Sequence, residues 1–337
     1  MTGIGSRESG IGSRESGVGN RESGIGDLGT RGADREQPCG GRDAAVGRRR
    51  SAVIAVMACA LALLVACSPR EQAPAPTEVK GPRVVSLVPS VTEMLFAVGA
   101  GPQVVGVSSF DKFPADVASR PRVGALLDPD VERILALKPD LVVTYGSQSA
   151  LRAQLERAGI AIFEYRHGGI GETLETLEAI GVRTGHTEEG RAAAGVLRAQ
   201  LVGIRQRVEG APRPRTVLVF GREPGAVRNV WASGGKGFLH ELLDVAGADN
   251  VFADVDRENV QASSELLLAR APEVIVELRA EARAPEATSP WAVLPSIPAV
   301  RGNRIHVLQG DQFVVPGPRL GQAAEALARV LHPEAFR

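Results

Sequence analysis

Aromatic side chains are scarce in this chain of 337 residues: two Trp, two Tyr and nine Phe, 4% in all. A site that grips a ligand by ring faces must therefore use a few identifiable residues. Net charge is absent as well, with 39 basic residues against 39 acidic, which excludes nucleic acid or any partner held by bulk charge. Cysteine is rare. Cys39 lies in a low-complexity repeat, Cys59 in an apolar leader and Cys67 at that leader's end, so neither a disulfide framework nor a cysteine metal site is available. The best hydrophobic run, Ala52 to Ala66, is too short to cross a bilayer comfortably.

Catalytic signatures are missing too. Gly234-Gly235-Lys236-Gly237 lacks the upstream glycine and the Ser/Thr of a phosphate-binding loop. There is no Gly-x-Ser-x-Gly elbow, and His240-Glu241 has no second histidine one turn on. The other histidines (His167, His186, His306, His332) are scattered, and His167 with Glu164 has no ligand-like spacing. No catalytic residue, resident cofactor or bare-metal site is expected.

What is present begins with a seven-residue repeat. Gly3-Ile-Gly-Ser-Arg-Glu-Ser9 recurs at 10–16 and again, altered, at 17–23. Residues 1–47 hold too little apolar surface to offset their ordering entropy, and are expected to be absent from the mature protein; translation from an internal start such as Val46 would omit nearly all of them. Arg48-Arg49-Arg50 and the apolar run to Ala66 form a signal peptide over 48–66. Leu64-Val65-Ala66-Cys67 has the pattern of a bacterial lipobox, which makes Cys67 the lipidated first residue. Residues 67–82, rich in proline, form a tether.

The folded part follows from Arg83, as strand and helix signals in alternation. Strands are expected at Val84–Val88, Val104–Val107, Leu141–Tyr145 and Ala161–Tyr165. Helices are expected from Thr92, at Val131–Leu137, at Gln148–Arg157 and at Glu172–Val182. That order implies a mainly parallel sheet covered by helices. Strands at Thr216–Phe220, Val274–Glu277 and Arg304–Leu308, with helices starting near Gly237, Ser263 and Gly317, repeat the scheme. Between the two sets runs Thr187–Glu209, with apolar residues at Ala193, Leu197, Leu201, Ile204 and Val208, the spacing of one buried helical face. Thr187 is the expected N-cap, and Gly190, Gly195 and Gly203 each cost the helix about 1 kcal/mol relative to alanine.

The two halves also share a motif. Glu132-Arg-Ile-Leu-Ala-Leu-Lys-Pro139-Asp matches Glu265-Leu-Leu-Leu-Ala-Arg-Ala-Pro272-Glu in its glutamate, one leucine, alanine, proline and acidic residue. A weaker pair, Leu95–Ala100 and Leu242–Gly247, keeps the same order. The fold class is therefore α/β, two similar lobes (83–186 and 211–337) joined by a rigid helix (187–210). Open α/β sheets bind ligands at strand C-terminal ends. The loops there carry Pro89, Ser90, Phe110, Leu126 and Tyr145 in the first lobe and Trp231, Asn259, Gln261, Asp311 and Phe313 in the second. A few ring faces with a few hydrogen-bonding groups suit a large, partly apolar ligand with a polar edge.

From Arg83 to about Leu331 the sequence resembles the periplasmic iron-siderophore and cobalamin-type binding proteins of ABC importers, whose two lobes are joined by a rigid helix. It is most similar to the vitamin B12-binding subgroup. The resemblance is carried by Arg83-Val-Val-Ser-Leu-Val-Pro-Ser-Val-Thr-Glu93, Val105-Gly-Val-Ser-Ser-Phe110, Val131–Val142 and Gln261-Ala-Ser-Ser-Glu265. It implies that Glu132 and Glu265 dock on arginines of a permease dimer, and that a chelate such as cobalamin binds between the lobes of a lipid-anchored monomer on the periplasmic side. Leu126 and Asn259 stand where the resemblance implies tryptophans over the corrin, leaving room for another corrinoid, a haem or an Fe(III)-siderophore. Arg166, Arg222, Arg228 and Arg319 are available for an acidic chelate. An envelope sensor or enzyme on the same fold is the competing class.

Overall fold

A computed structural model describes residues 80–281 and 289–337. The repeat 1–47, the signal peptide 48–66, Cys67 and most of the tether 67–82 lie outside the described residues. Among those described, no helix is long and apolar enough to cross a membrane.

The first half of the fold is a four-stranded parallel sheet in the order β2-β1-β3-β4. Its strands are β1 (Val84–Ser86), β2 (Val104–Val107), β3 (Leu141–Tyr145) and β4 (Ala161–Tyr165), with helices α1 (Pro89–Ala97), α2 (Val131–Ala136), α3 (Ser149–Arg157) and α4 (Ile170–Thr184). Helix α1 begins three residues before the expected start at Thr92, because Pro89 occupies its first turn, where a fixed φ and a missing N–H cost nothing. The long helix α5 (Thr187–Arg207) follows. Thr187 is not its N-cap. His186 holds that position without a side-chain cap bond, its ring lying 3.1 Å from the Gln103 amide instead.

The second half has β5 (Arg215–Gly221), β6 (Val230–Ser233), β7 (Asp249–Asn250), β8 (Asn259–Ala262), β9 (Val274–Arg279) and β10 (Ile305–Gln309). Its helices are α6 (Gly237–Val245), α7 (Ser264–Arg270), α8 (Pro298–Arg301) and α9 (Leu320–Leu331). The sheet order is β10-β9-β5-β6-β8, with β7 on β5. Here the structure departs from a simple repeat: β6 pairs antiparallel with both β5 and β8. These strands are only four residues each, and Trp231, Asn259 and Gln261, expected on loops, stand on them.

Strand residues feed alternate faces, as a pleated sheet requires. Val84, Leu141 and Val143 enter the same core cluster as Leu218, Val274 and Val276 of the second sheet. Their neighbours Val85 and Val142, and Val217, Val219 and Ile275, enter two separate outer clusters. The shared cluster is joined by Ala194, Leu197, Leu201, Ile204 and Val208 of the α5 segment. Helix α5 packs along α4 and also against α6 and α9, so it is embedded in both halves.

The internal repeat is visible atom by atom. Asp130 and Ser263, the N-caps of α2 and α7, each accept from the backbone N–H three residues on. Both helices end in a left-handed residue before a proline, Lys138 (φ 48°) and Ala271 (φ 46°). The Arg83 side chain donates to the Leu137 carbonyl at 2.7 Å, and Arg215 to Arg270 at 2.6 Å. The backbone N–H of Arg83 is held by Asp140 at 2.8 Å, and that of Arg215 by Glu273 at 3.1 Å.

Helices α4 and α5 cross at Gly181 and Gly190. A Cβ on Gly190 would meet the Leu177 carbonyl at 2.9 Å and Gly181 Cα at 3.2 Å, whereas one on Gly195 or Gly203 would meet nothing within 4 Å. The three glycines therefore differ in role. Gly195→Ala and Gly203→Ala should each raise stability by about 0.5–1 kcal/mol, and Gly190→Ala should lower it. Chemical denaturation of the three variants checks this, and equal effects at all three positions would contradict the close crossing.

Candidate functional site

The site lies where strand C-terminal ends of the two halves face each other, and pairs of side chains span it. Lys112, after β2, donates to Glu281, after β9, at 2.8 Å. His167, after β4, sits 3.8 Å from Glu258 and edge-on to the Phe238 ring with centroids 5.7 Å apart. The backbone N–H of Ile170 donates to Glu241 at 2.7 Å. Arg319 joins Glu93 of α1 (2.8 Å from Nε) to Asp311 (2.8 Å), and its guanidinium covers the Phe113 ring at 4.1 Å.

On the first-half wall, Ser90 is buried beside Tyr165, whose phenol is pushed up by burial and only partly eased by the Ser90 hydroxyl. Tyr165 packs edge-to-face with Tyr145 at 5.9 Å. Gln148 accepts from the Tyr145 backbone N–H and donates to the Leu126 carbonyl, both at 3.0 Å, so Ser90, Tyr145 and Leu126 form one connected surface. Pro89 is half-buried in the first turn of α1. Phe110 is 69% exposed, its backbone N–H held by the Ser108 hydroxyl at 3.2 Å. Burial, with Tyr165 and Asp111 nearby, pushes the Tyr145 phenol up to about 12, so it stays a neutral donor.

On the second-half wall, Trp231 of β6 lies opposite Gln261 of β8, and Asn259 is two residues along the same face. Trp231 is 42% exposed, with Gln261 and Asn259 also exposed. Its side chain rests over Gly221, whose neighbours Arg222, Glu277, Arg279 and Glu281 line a cavity of about 450 Å³. Glu277 accepts from Arg222 (2.6 Å), Arg279 (2.6 Å) and the Trp291 indole (2.6 Å). Burial opposes its charge, but these donors outweigh burial and hold the carboxyl below its ordinary value.

Asp311 is half-buried and bound by Arg319. Phe313 departs from expectation. It is 4% exposed and packs in the shared core, because the short 3₁₀ turn Asp311–Phe313 sends the two side chains in different directions. Glu132 and Glu265 are both exposed, at the second positions of α2 and α7. The Glu265 carboxyl is held below its usual range by its own backbone N–H and the Ser263 hydroxyl. Among the described residues neither glutamate is paired with a cation, and no cluster of His, Cys, Asp and Glu is placed to hold a metal ion.

Sequence reasoning missed Glu93, Asp111, Trp291 and the joining of Arg319 to two carboxylates. Two carboxylates sharing one guanidinium explain both directions there. Burial lifts Glu93 above its usual value, and its bonds to Arg319 recover only part of that. Burial opposes the charge on Arg319, yet the bonds to Glu93 and Asp311 win and its proton is held more tightly. Asp111 is 2% exposed. Neither of its carboxylate oxygens has a well-formed hydrogen bond; Thr92 and the Ser108 backbone lie close enough only to ease its charge, as does Arg122, while Glu93 opposes it. Burial prevails and lifts Asp111 to about 7.

Residues 84–311 match the family described as Periplasmic binding protein. The chain is 30% identical over 249 residues to the vitamin B12-binding protein of Yersinia pestis (strain Pestoides F), covering 73% of this chain and 85% of that one. Its fold matches the crystal structure of the periplasmic vitamin B12 binding protein BtuF of Vibrio cholerae with a TM-score of 0.65 and 25% identity, over 76% of this chain and 99% of that one. A periplasmic heme binding protein from Pseudomonas aeruginosa matches with a TM-score of 0.61 and 25% identity, over 75% and 93%.

Asp111 provides a pH test. Its folded value of about 7 lies above the unfolded 3.8, so the folded state holds the extra proton between them and stability falls as pH rises through that window. Asp111→Asn should remove this loss, gaining on the wild type by up to about 4 kcal/mol at pH 8 and little at pH 4. Denaturation at both pH values checks it; an equal difference at both would sink the assignment.

Proposed function

The chain belongs to the periplasmic binding protein family, and from that premise we propose that it captures cobalamin or a related corrinoid between its two halves. It then delivers the ligand to the permease dimer of an ABC importer. The mature chain is a monomer tethered to a membrane by lipid on Cys67, and it does no covalent chemistry. The observation that carries the ligand class is the ribbon on which Trp231 and Gln261 oppose each other beside a cavity of about 450 Å³, since an indole face next to an amide suits a large ring with amide-bearing edges. The 30% identity to a vitamin B12-binding relative supports it.

A second reading, a haem or Fe(III)-siderophore, is favoured by one feature. Arg222 and Arg279, both bonded to Glu277, put two guanidinium groups in the lining of the cavity, a donor type that suits an acidic chelate. Leu126 and Asn259 also offer no aromatic cover. Because α5 is embedded in the core shared by both sheets, opening on ligand release is a few degrees rather than a wide clamshell.

Calorimetric titration of the purified protein with cyanocobalamin, and in parallel with haemin, tests the ligand. Cyanocobalamin should bind saturably, and Trp231→Ala should weaken it about 10- to 100-fold without changing thermal stability. Saturable binding of haemin with none of cyanocobalamin would replace the first reading by the second. For delivery, the double variant Glu132→Arg, Glu265→Arg should abolish uptake into cells yet leave ligand affinity intact; unimpaired uptake would refute docking through these residues.

A further inference from the structure

The docking surface of this protein is more than two acidic side chains. One turn beyond each glutamate, on the same helical face, stands a leucine: Leu135 on α2 and Leu268 on α7. They are 39% and 40% exposed. Isolated surface leucines are ordinary, but these two occupy equivalent positions of the internal repeat and are exposed to the same degree. Neither is needed to hold its helix down, because Ile134 and Leu267 beside them are fully buried. The accessibility pattern along the two helices agrees at every position but one, Arg133 against Leu266.

The arginines of the two helices are held by partners other than the two glutamates. Arg133 donates away from Glu132, to the Arg122 carbonyl at 2.9 Å. Arg270 is taken up by Asp254 through two bonds of 2.8 Å. Each copy of the repeat therefore presents an acid without a cationic partner among the described residues, and an uncovered leucine beside it.

We propose that Leu135 and Leu268 are apolar anchors that insert into two equivalent pockets of a homodimeric membrane partner, each pocket carrying a basic group for the adjacent glutamate. The proposal rests on the docking reading given above. One chain that carries the same patch twice fits a partner that shows the same surface twice. The acid alone would steer the encounter and set its salt dependence; the leucine supplies contact area that salt does not screen.

The test measures binding of the full mature chain to the transmembrane dimer of the importer from the same genome, reconstituted in lipid nanodiscs, at low and high salt. Leu135→Ala and Leu268→Ala should each weaken binding roughly five- to tenfold. The double variant should combine both losses with an unchanged salt dependence. Glu132→Ala with Glu265→Ala should instead weaken binding and flatten the salt dependence. Thermal midpoint and cyanocobalamin affinity should be unmoved in the leucine variants, which separates docking from folding. Leucine variants that bind like wild type while the glutamate variant does not would overturn the anchors and leave the docking reading standing. A loss confined to one leucine would overturn the two-pocket form. A glutamate variant that binds like wild type, or a wild type that does not bind the dimer, would remove the docking reading and the anchors together.

Discussion

The structure depends on one buried helix. Helix α5 contributes side chains to a core cluster that contains strand residues of both sheets, and its crossing with α4 at Gly190 and Gly181 is too close for any side chain between the backbones. A helix tied this way cannot move as a free strap. Interiors are packed as densely as organic crystals, so a large opening would have to expose part of the shared core. The two outer clusters, confined to one sheet each, carry no such penalty. The halves are thus distinct in sheet topology and continuous in packing, which suits capture of a ligand by small adjustments at the cleft.

The cleft is bridged by polar rather than apolar contacts. Arg319 shared by Glu93 and Asp311, Lys112 with Glu281, and His167 with Glu258 all cross it. The exposed pairs are worth little individually. The buried one is different, since Arg319 ties α1 to the loop after β10 in surroundings where leaving either charge unpaired is costly. Asp111, next to Phe110 and two residues before Phe113 in the chain, adds a carboxyl whose proton depends on burial. Such contacts fix the spacing of the walls while leaving the ring faces of Phe110 and Trp231 open to a ligand.

Duplication explains why one surface recurs. The same cap, the same left-handed helix end, the same arginine bond to a helix carbonyl and the same acidic hold on a strand's first N–H appear in each half. These local bonds fix the orientation of α2 and α7 on their sheets. The exposed glutamates and leucines then inherit matching geometry without any direct contact between the copies. What diverged is an addition to the second sheet, where the antiparallel strands β6 and β8 extend it beyond β5 and bring Trp231 beside Gln261.

Periodicity alone determined the alternation of strands and helices, the long helix between Thr187 and Gly210, and the repeat built on Glu132 and Glu265, because each depends on residues close together in the chain. The same local signals singled out Tyr145, Trp231 and Gln261 as candidates, though Trp231 and Gln261 stand on strands and not on the expected loops. They could not show that Phe313 turns inward, that Thr187 does not cap, or that Gly190 serves a crossing while Gly203 serves nothing. Nor could they join Glu93 to Arg319, or gather Arg222, Arg279 and Trp291 around Glu277. Those pairings bring together segments far apart in the chain. Only packing decides them, because a buried charge must find its counter-charge wherever the fold, and not the sequence, has placed one.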